Sequence, residues 1–294
     1  MSGMRDISIQ EAIAVETQLK DFQQSRINQQ ETLDERLRID VMDSQFVDEM
    51  GFDEMASVGM LKPPFRLPIV AQSGSGKTNL ILNLLSDRMY GAYFTKFYVM
   101  SNSLGLDKMW ENLTDEQLEN CWDHYDEKEL QKIFDDQKEL VENKFGGRKT
   151  RDNALLVVLD DVIEDLFHHG ASPQKVMDNL SMRGRHANIS FIIVSQQYKL
   201  IPKTLRVNCN ALMLFQVYNL QEREDIMKEH GGQFEKKQMK QLLRYIWNLP
   251  YQFLFIDYSR PNVTRFRKNL DRVILDETIR DQMFSDVDAL TCAR

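Results

Sequence analysis

The stretch Ala71 to Asn79, AQSGSGKTN, carries the residue types of a phosphate-binding loop at the spacing that chemistry needs. Gly74 and Gly76 permit backbone conformations and a close approach that aim successive N–H groups at phosphate oxygens. Lys77 adds a point charge for the β and γ phosphates, and the Thr78 hydroxyl suits Mg²⁺. Gln72, Ser73, Ser75 and Asn79 complete the candidate nucleotide-binding set. Ala71 stands where the stricter pattern has its first glycine. The cofactors this predicts are ATP and Mg²⁺.

A second constellation follows about 80 residues downstream, where LLVVLDD closes five apolar residues, Leu155 to Leu159, with two acids. Open α/β sheets place ligands at such strand ends. Asp160 is positioned there to hold Mg²⁺, directly or through water, and Asp161 to orient or deprotonate the attacking water. Asp161 is shorter than a glutamate, so Glu164 stays in reserve as the base. A third group, Ser195, Gln196 and Gln197, ends the run Phe191 to Val194. An amide at Gln196 can hydrogen-bond both the γ-phosphate and the lytic water.

Arg183, Gly184, Arg185 and His186 precede that run and put two guanidiniums at its opposite end. A site on the far side of a subunit suits an arginine finger delivered to a neighbour's nucleotide. Surface ion pairs are the plain alternative. His168 and His169 are adjacent, face different directions on a helix and make a poor metal pair.

These residues need an alternating scaffold. Leu67, Ile69 and Val70 read as a buried strand, and Leu80, Ile81, Leu84 and Leu85 recur at helical spacing, so the loop feeds a helix N-terminus. Further strands are expected at 96–100, 155–161, 191–194, 211–216 and 252–258, with helices at 221–229 and 234–247. A charged helical stretch is expected over 114–141, opened by a capping box from Thr114 and Gln117, and an exposed loop over 145–153. The alternation predicts an α/β fold with a central, mostly parallel sheet flanked by helices.

The net charge of −8 is unevenly placed. Residues 1–59 hold 5 Lys/Arg against 13 Asp/Glu, whereas 199–272 hold 14 against 7. The first segment reads as an acidic N-terminal arm, helical or partly disordered, that packs on the main domain or docks a partner. Residues 60–294 read as the ATPase domain, with a core over about 60–220 and a basic part over 221–272. Arg260, Arg265, Arg267 and Lys268 either line a path for DNA or form a solvated edge. Cys121, Cys209 and Cys292 lie too far apart in sequence for a CxxC pair, so neither a disulfide framework nor a zinc cluster is indicated. No apolar run approaches a bilayer crossing, and the N-terminus lacks an export signal, which predicts an intracellular setting.

With AQSGSGKT and LLVVLDD in place, the run LSMRGRHANISFIIVSQQYKLIPKTLRVNCNALMLFQ makes the chain resemble a known family. It is similar to the poxvirus-type genome-packaging ATPases of nucleocytoplasmic large DNA viruses and virophages, within the FtsK–HerA superfamily. The resemblance covers about residues 60–220 well. It implies a RecA-like P-loop fold, a homo-oligomeric ring and ATP-driven movement of double-stranded DNA into a capsid. Carried over, Gly74, Gly76, Lys77 and Thr78 bind nucleotide, Asp160 and Asp161 form the acidic pair, and Gln196 is the sensor. Arg183, Arg185 and Arg206 all remain candidates for the trans arginine. The resemblance also implies work at the assembly site in the host cytoplasm and in the virion, with a capsid or vertex protein as a partner that the N-terminal arm is a candidate to meet. Readings from other classes are a small-molecule P-loop kinase and a nucleotide-binding assembly protein without motor activity.

Overall fold

The computed structural model describes residues 60–162, 171–232, 234–261, 264–270 and 272–273. The acidic arm, Glu164, His168, His169 and Cys292 lie outside the described residues.

Strand β1 (Arg66–Val70) leads through the glycine loop to helix α1 (Lys77–Leu85). Next come β2 (Lys96–Ser101), the short α2 (Asp115–Leu118), β3 (Cys121–Trp122), α3 (Glu127–Phe145) and β4 (Leu155–Asp160). Helix α4 (Ala171–Arg183), β5 (Ile189–Ser195), α5 (Lys203–Asn208) and β6 (Ala211–Phe215) follow. Helices α6 (Leu220–His230) and α7 (Lys236–Ile246) precede β7 (Phe253–Asp257), β8 (Phe266–Lys268) and β9 (Arg272–Val273).

Among the described residues these form one nine-stranded sheet in the order β3-β2-β4-β5-β1-β6-β7-β8-β9. Neighbours from β3 to β6 are parallel, and β7, β8 and β9 are added antiparallel. Every residue of β4, β5, β6 and β7 is buried, which accounts for their mostly apolar sequences. Helix α3 buries Leu130, Ile133, Phe134 and Val141, and α7 buries Met239, Leu242, Leu243 and Ile246. These spacings put each set on one helix face. The mostly parallel sheet with helices is the fold class the sequence predicts.

The stretch 114–141 departs from the expected continuous helix. The capping box at Thr114 and Gln117 forms, but α2 stops at Leu118 and the chain extends so that Cys121 and Trp122 pair with Val99 and Met100. Asp126 then starts α3 afresh, its side chain accepting from the N–H groups of Lys128 and Glu129. Strand pairing at the sheet edge outweighs helical periodicity there. The expected loop at 145–153 begins with the last residue of α3, is exposed from Gly146 to Asp152, and is fixed at its end. Asn153 is buried, its carbonyl accepts from Gln137 Nε2 (2.7 Å) and its Oδ1 from Asn188 Nδ2 (2.6 Å).

The basic cluster at the end of the chain also turns inward. Arg267 and Lys268 are buried in β8. Arg267 Nη1 donates to Leu270 O and Nη2 lies 3.6 Å from Asp257. Lys268 Nζ donates to Asn248 Oδ1 at 3.0 Å, and Arg260 Nε sits 3.4 Å from Asp257. These three side chains are spent within the fold rather than laid along a surface for DNA.

Candidate nucleotide-hydrolysis site

Strand order brings the sequence-predicted residues together. β1 lies between β5 and β6, and β5 separates β1 from β4, so three consecutive strand ends carry the glycine loop, the Gln196 segment and the two acids. Ala71 N donates to Ser195 O at 2.9 Å and Asp161 N to Val194 O at 3.3 Å, extending the ladders to the start of each loop.

The loop has the backbone its glycines allow. Gly74 and Gly76 have φ of 75° and 89°, in the left-handed region. Gln72 O accepts from both the N–H and the hydroxyl of Ser75, closing the turn at 3.1 and 2.6 Å. Helix α1 begins at Gly76 without a side-chain cap and without an acidic residue in its first turn. Its N-terminal N–H groups and positive dipole end therefore face no carboxylate of their own helix. Thr78 is buried, as is the Asn79 Oδ1, which has no hydrogen-bond donor.

Lys77 bridges the loop and the acids. Its Nζ contacts Asp161 Oδ2 and lies 3.8 Å from Asp160 Oδ1. Burial pulls the ammonium below its ordinary value, and Asp160 opposes that. Asp160 is fully buried at the end of β4. Its Oδ2 accepts from Ser101 Oγ (2.8 Å) and Ser103 Oγ (3.4 Å), while its Oδ1 has no hydrogen-bond donor. Burial raises its carboxyl above the usual range, with Lys77 and the two serines pulling the other way. A buried carboxylate oxygen without a donor is a hard oxygen ligand of the kind a small hard cation takes together with phosphates. Thr78 stands at the same helix end as Lys77, so the residues present fit a Mg²⁺ ion carried with nucleotide phosphates. Among the described residues no three His, Cys, Asp or Glu side chains gather into a metal cage. Mg²⁺ needs none, since it takes one or two carboxylates with substrate phosphates and water.

Asp161 is only partly buried and has φ of 54°, a left-handed backbone that turns its side chain back toward Lys77. Its carbonyl accepts from Asn102 Nδ2 and its Oδ2 from Gln196 Nε2, both at 3.1 Å. Gln196 itself is exposed at the mouth. The amide and the carboxylate thus meet where a water could lie between them and a terminal phosphate. Gln72 and Ser73 line the loop's outer turn.

Arg183 and Arg185 sit elsewhere. Both are exposed at the start of β5, the far end of the strand from Gln196, a strand length of about 23 Å at about 3.3 Å per residue. Gly184 is buried between them. Arg206 does not share their freedom: Nη1 donates to both carboxylate oxygens of Glu229, at 2.6 and 2.8 Å, and the guanidinium stacks 4.7 Å from the Tyr198 ring. It is a brace within the fold. Other parts of the 180–216 run are also structural. Ser190 Oγ accepts from Phe65 N, Ile201 is fully buried, and Pro202 opens α5.

Sequence reasoning missed Ser101, Asn102 and Ser103 as partners of the acids, and Trp110, whose Nε1 donates to Ser103 Oγ at 3.0 Å. The available signal was the SNS that ends the KFYVM strand, which gains meaning only once β2 is known to lie beside β4.

Comparison with known proteins bears on the family and the fold. The family model described as "Poxvirus A32 protein" matches residues 53–252. No significant match is found among curated protein sequences. Among solved structures, B204 of Sulfolobus turreted icosahedral virus, described as its DNA-packaging ATPase, superposes with a TM-score of 0.50 at 15% identity, covering 71% of this chain and 98% of that one. B204 of Sulfolobus turreted icosahedral virus 2, a genome-packaging NTPase solved with AMP, gives 0.51 at 14% identity with the same two coverages. The pCW3 conjugation coupling protein TcpA, solved with ATPγS, gives 0.52 at 14% identity and covers 85% of this chain and 75% of that one. At these identities the superpositions establish the shared fold.

Proposed function

The chain belongs to the family of the poxvirus A32 protein, and on that premise we propose that it is an ATP-hydrolysing motor that drives double-stranded DNA into a viral capsid. The observation that carries the reading is the meeting of Lys77, Asp160, Asp161 and Gln196 at three adjacent strand ends beside a bare helix N-terminus.

In this reading the loop N–H groups of residues 72–79 and Lys77 bind the phosphates of ATP. Thr78 and Asp160 would hold Mg²⁺, which when bound would neutralise charge on the phosphates. Lys77 leaves Asp161 for the phosphates, freeing that carboxylate to orient or deprotonate water, with the Gln196 amide fixing the water's other side. Arg183 or Arg185 reaches a neighbouring subunit's nucleotide in a ring. The placement of both on the face away from their own site supports a trans role. Double-stranded DNA is the substrate moved, and residues 1–59 are the segment that meets a capsid or vertex protein at the virus assembly site.

The test is the steady-state ATPase rate per subunit against protein concentration, with and without long double-stranded DNA. A rate that rises cooperatively with concentration and again with DNA supports a ring motor. A rate flat in both overturns it.

A further inference from the structure

We propose that Tyr251 is the platform on which the base of the bound nucleotide stacks, an assignment that rests on the nucleotide reading of the Ala71–Asn79 loop. The observation is a contact between two segments far apart in sequence. A Cβ built on Gly76 would lie 3.2 Å from Tyr251 Cδ1, so the tyrosine ring lies against the backbone of the phosphate loop at the first turn of α1. The ring is not buried by that contact, because Tyr251 remains 68% exposed.

Topology explains the placement. In the antiparallel β6–β7 pair Phe215 faces Phe253, and in the parallel β1–β6 pair Val70 faces Leu214. The residues just before β7 therefore stand at the same sheet edge as the glycine loop, on the side of β1 away from Asp160. The acids and Gln196 flank the loop through β5 and β4, where the terminal phosphate would lie. Tyr251 flanks it from the opposite side, which leaves it for the other end of the nucleotide.

The segment is held firmly. Trp247 Nε1 donates to Leu214 O at 3.1 Å, and Asn248 Oδ1 accepts from Lys268 Nζ at 3.0 Å. Asn269 clamps the other side, its Oδ1 accepting from Phe253 N and its Nδ2 donating to Gln252 Oε1. Between these anchors Tyr251 adopts φ of 62°, a left-handed conformation uncommon for a bulky aromatic. A scattered exposed tyrosine needs no explanation. One fixed in an unfavourable backbone, with a ring edge against the phosphate loop and most of its surface open to solvent, offers a ring face for stacking. Gly76 completes it, since any side chain there would displace the ring.

Calorimetry with the β,γ-methylene analogue of ATP and with inorganic tripolyphosphate, each with Mg²⁺, tests this on the full chain. Tyr251→Ala should weaken the analogue about ten- to a hundredfold, the range for loss of one base–aromatic stack, while tripolyphosphate binding stays within about twofold. Tyr251→Phe should keep the affinity of the wild type for both. Equal losses for analogue and tripolyphosphate would make the ring a prop for the loop and overturn the proposal, as would an unchanged affinity for the analogue. Lys77→Ala should weaken both ligands. If that variant binds both as well as the wild type does, or if the wild type binds neither, the loop is not the nucleotide site and the platform falls with it.

Discussion

Two polar clusters lie on this sheet and are built on opposite terms. At the strand ends of β4, β5 and β1, Asp160 keeps one buried oxygen without a donor, and Lys77 is shared between two carboxylates. Around α6, the second cluster closes on itself. Arg206 meets both oxygens of Glu229, the Tyr198 hydroxyl lies 2.5 Å from Glu229 and 2.6 Å from His230 Nε2, and the Tyr258 hydroxyl meets His230 Nδ1. A neutral imidazole with its proton on Nε2 satisfies this arrangement, donating to Tyr198 and accepting from Tyr258. Burial accordingly pulls His230 down to about 4. The first cluster is left open for an incoming anion and cation. The second ties α5, α6 and β7 together, its carboxylate, imidazole and hydroxyls paired with one another and only Arg206 Nε left buried without an acceptor.

The sharpest way to break the contrast is through its arginines. Arg183→Ala or Arg185→Ala should lower the ATPase rate by about 10³ in whichever supplies the finger, with the melting temperature unchanged. Mixing that variant with Lys77→Ala subunits should restore part of the rate, because some interfaces then pair an intact loop with an intact arginine. Arg206→Ala should do the reverse, lowering the melting temperature because it leaves Glu229 without its cation. A loss of rate in Arg206→Ala at unchanged stability would erase the distinction.

Gln196→Ala comes next. It should reduce kcat by about 10² with little change in KM, the signature of a group that acts on the attacking water rather than on ground-state binding. An unchanged kcat would remove Gln196 from the mechanism.

The two clusters should also respond to pH with opposite signs. His230 has a folded pKa below its unfolded value, so the native state binds fewer protons between about 4 and 6.5. Its contribution is present above the unfolded pKa and is lost on acidification through that window, by up to about 3 kcal/mol. Asp160 is raised by burial, so its ionised form penalises the empty fold above the usual carboxylate range, and acidification relieves that penalty. Denaturant titrations from pH 7 to 4 should show His230→Gln with a shallower acid loss than wild type, whatever its stability at pH 7. An equal slope would dissociate the histidine from acid sensitivity.

The smallest expected effect is thermal. Asp160→Asn should abolish Mg²⁺-dependent hydrolysis yet raise the melting temperature of the nucleotide-free protein, as relief of the burial penalty on its charge would. A fall in melting temperature would mean that the carboxylate supports the empty fold through Lys77 and the serines.

The difference between the clusters also tracks how much of each was legible in the chain. The phosphate loop is contiguous, and its chemistry is mostly backbone N–H groups, two glycines and one lysine, so residues 71–79 suffice to identify it. The acids and Gln196 were readable because each ends an unbroken apolar run, and a parallel sheet places such ends on one edge. The arginines were not separable by sequence. Arg183, Arg185 and Arg206 all fall in a stretch without Asp or Glu, and only the folded chain sets Glu229 against the third and leaves the first two exposed. Arg267 and Lys268 looked solvated because nothing in their local sequence reveals the β7 and β9 neighbours that bury them.

What the sequence alone determined is therefore the local chemistry: a loop with the residue types of a phosphate site, carboxylates at a strand end, an amide nearby and an alternating α/β scaffold. What only the tertiary structure decided is which distant groups share those atoms: Ser101 and Ser103 on Asp160, Asn102 and Gln196 on Asp161, Tyr251 against Gly76. The reason is physical. Backbone conformation and apolar periodicity are set by neighbours in sequence, whereas the partner of a buried charge is set by strand order, and strand order follows from how the whole sheet buries its apolar faces.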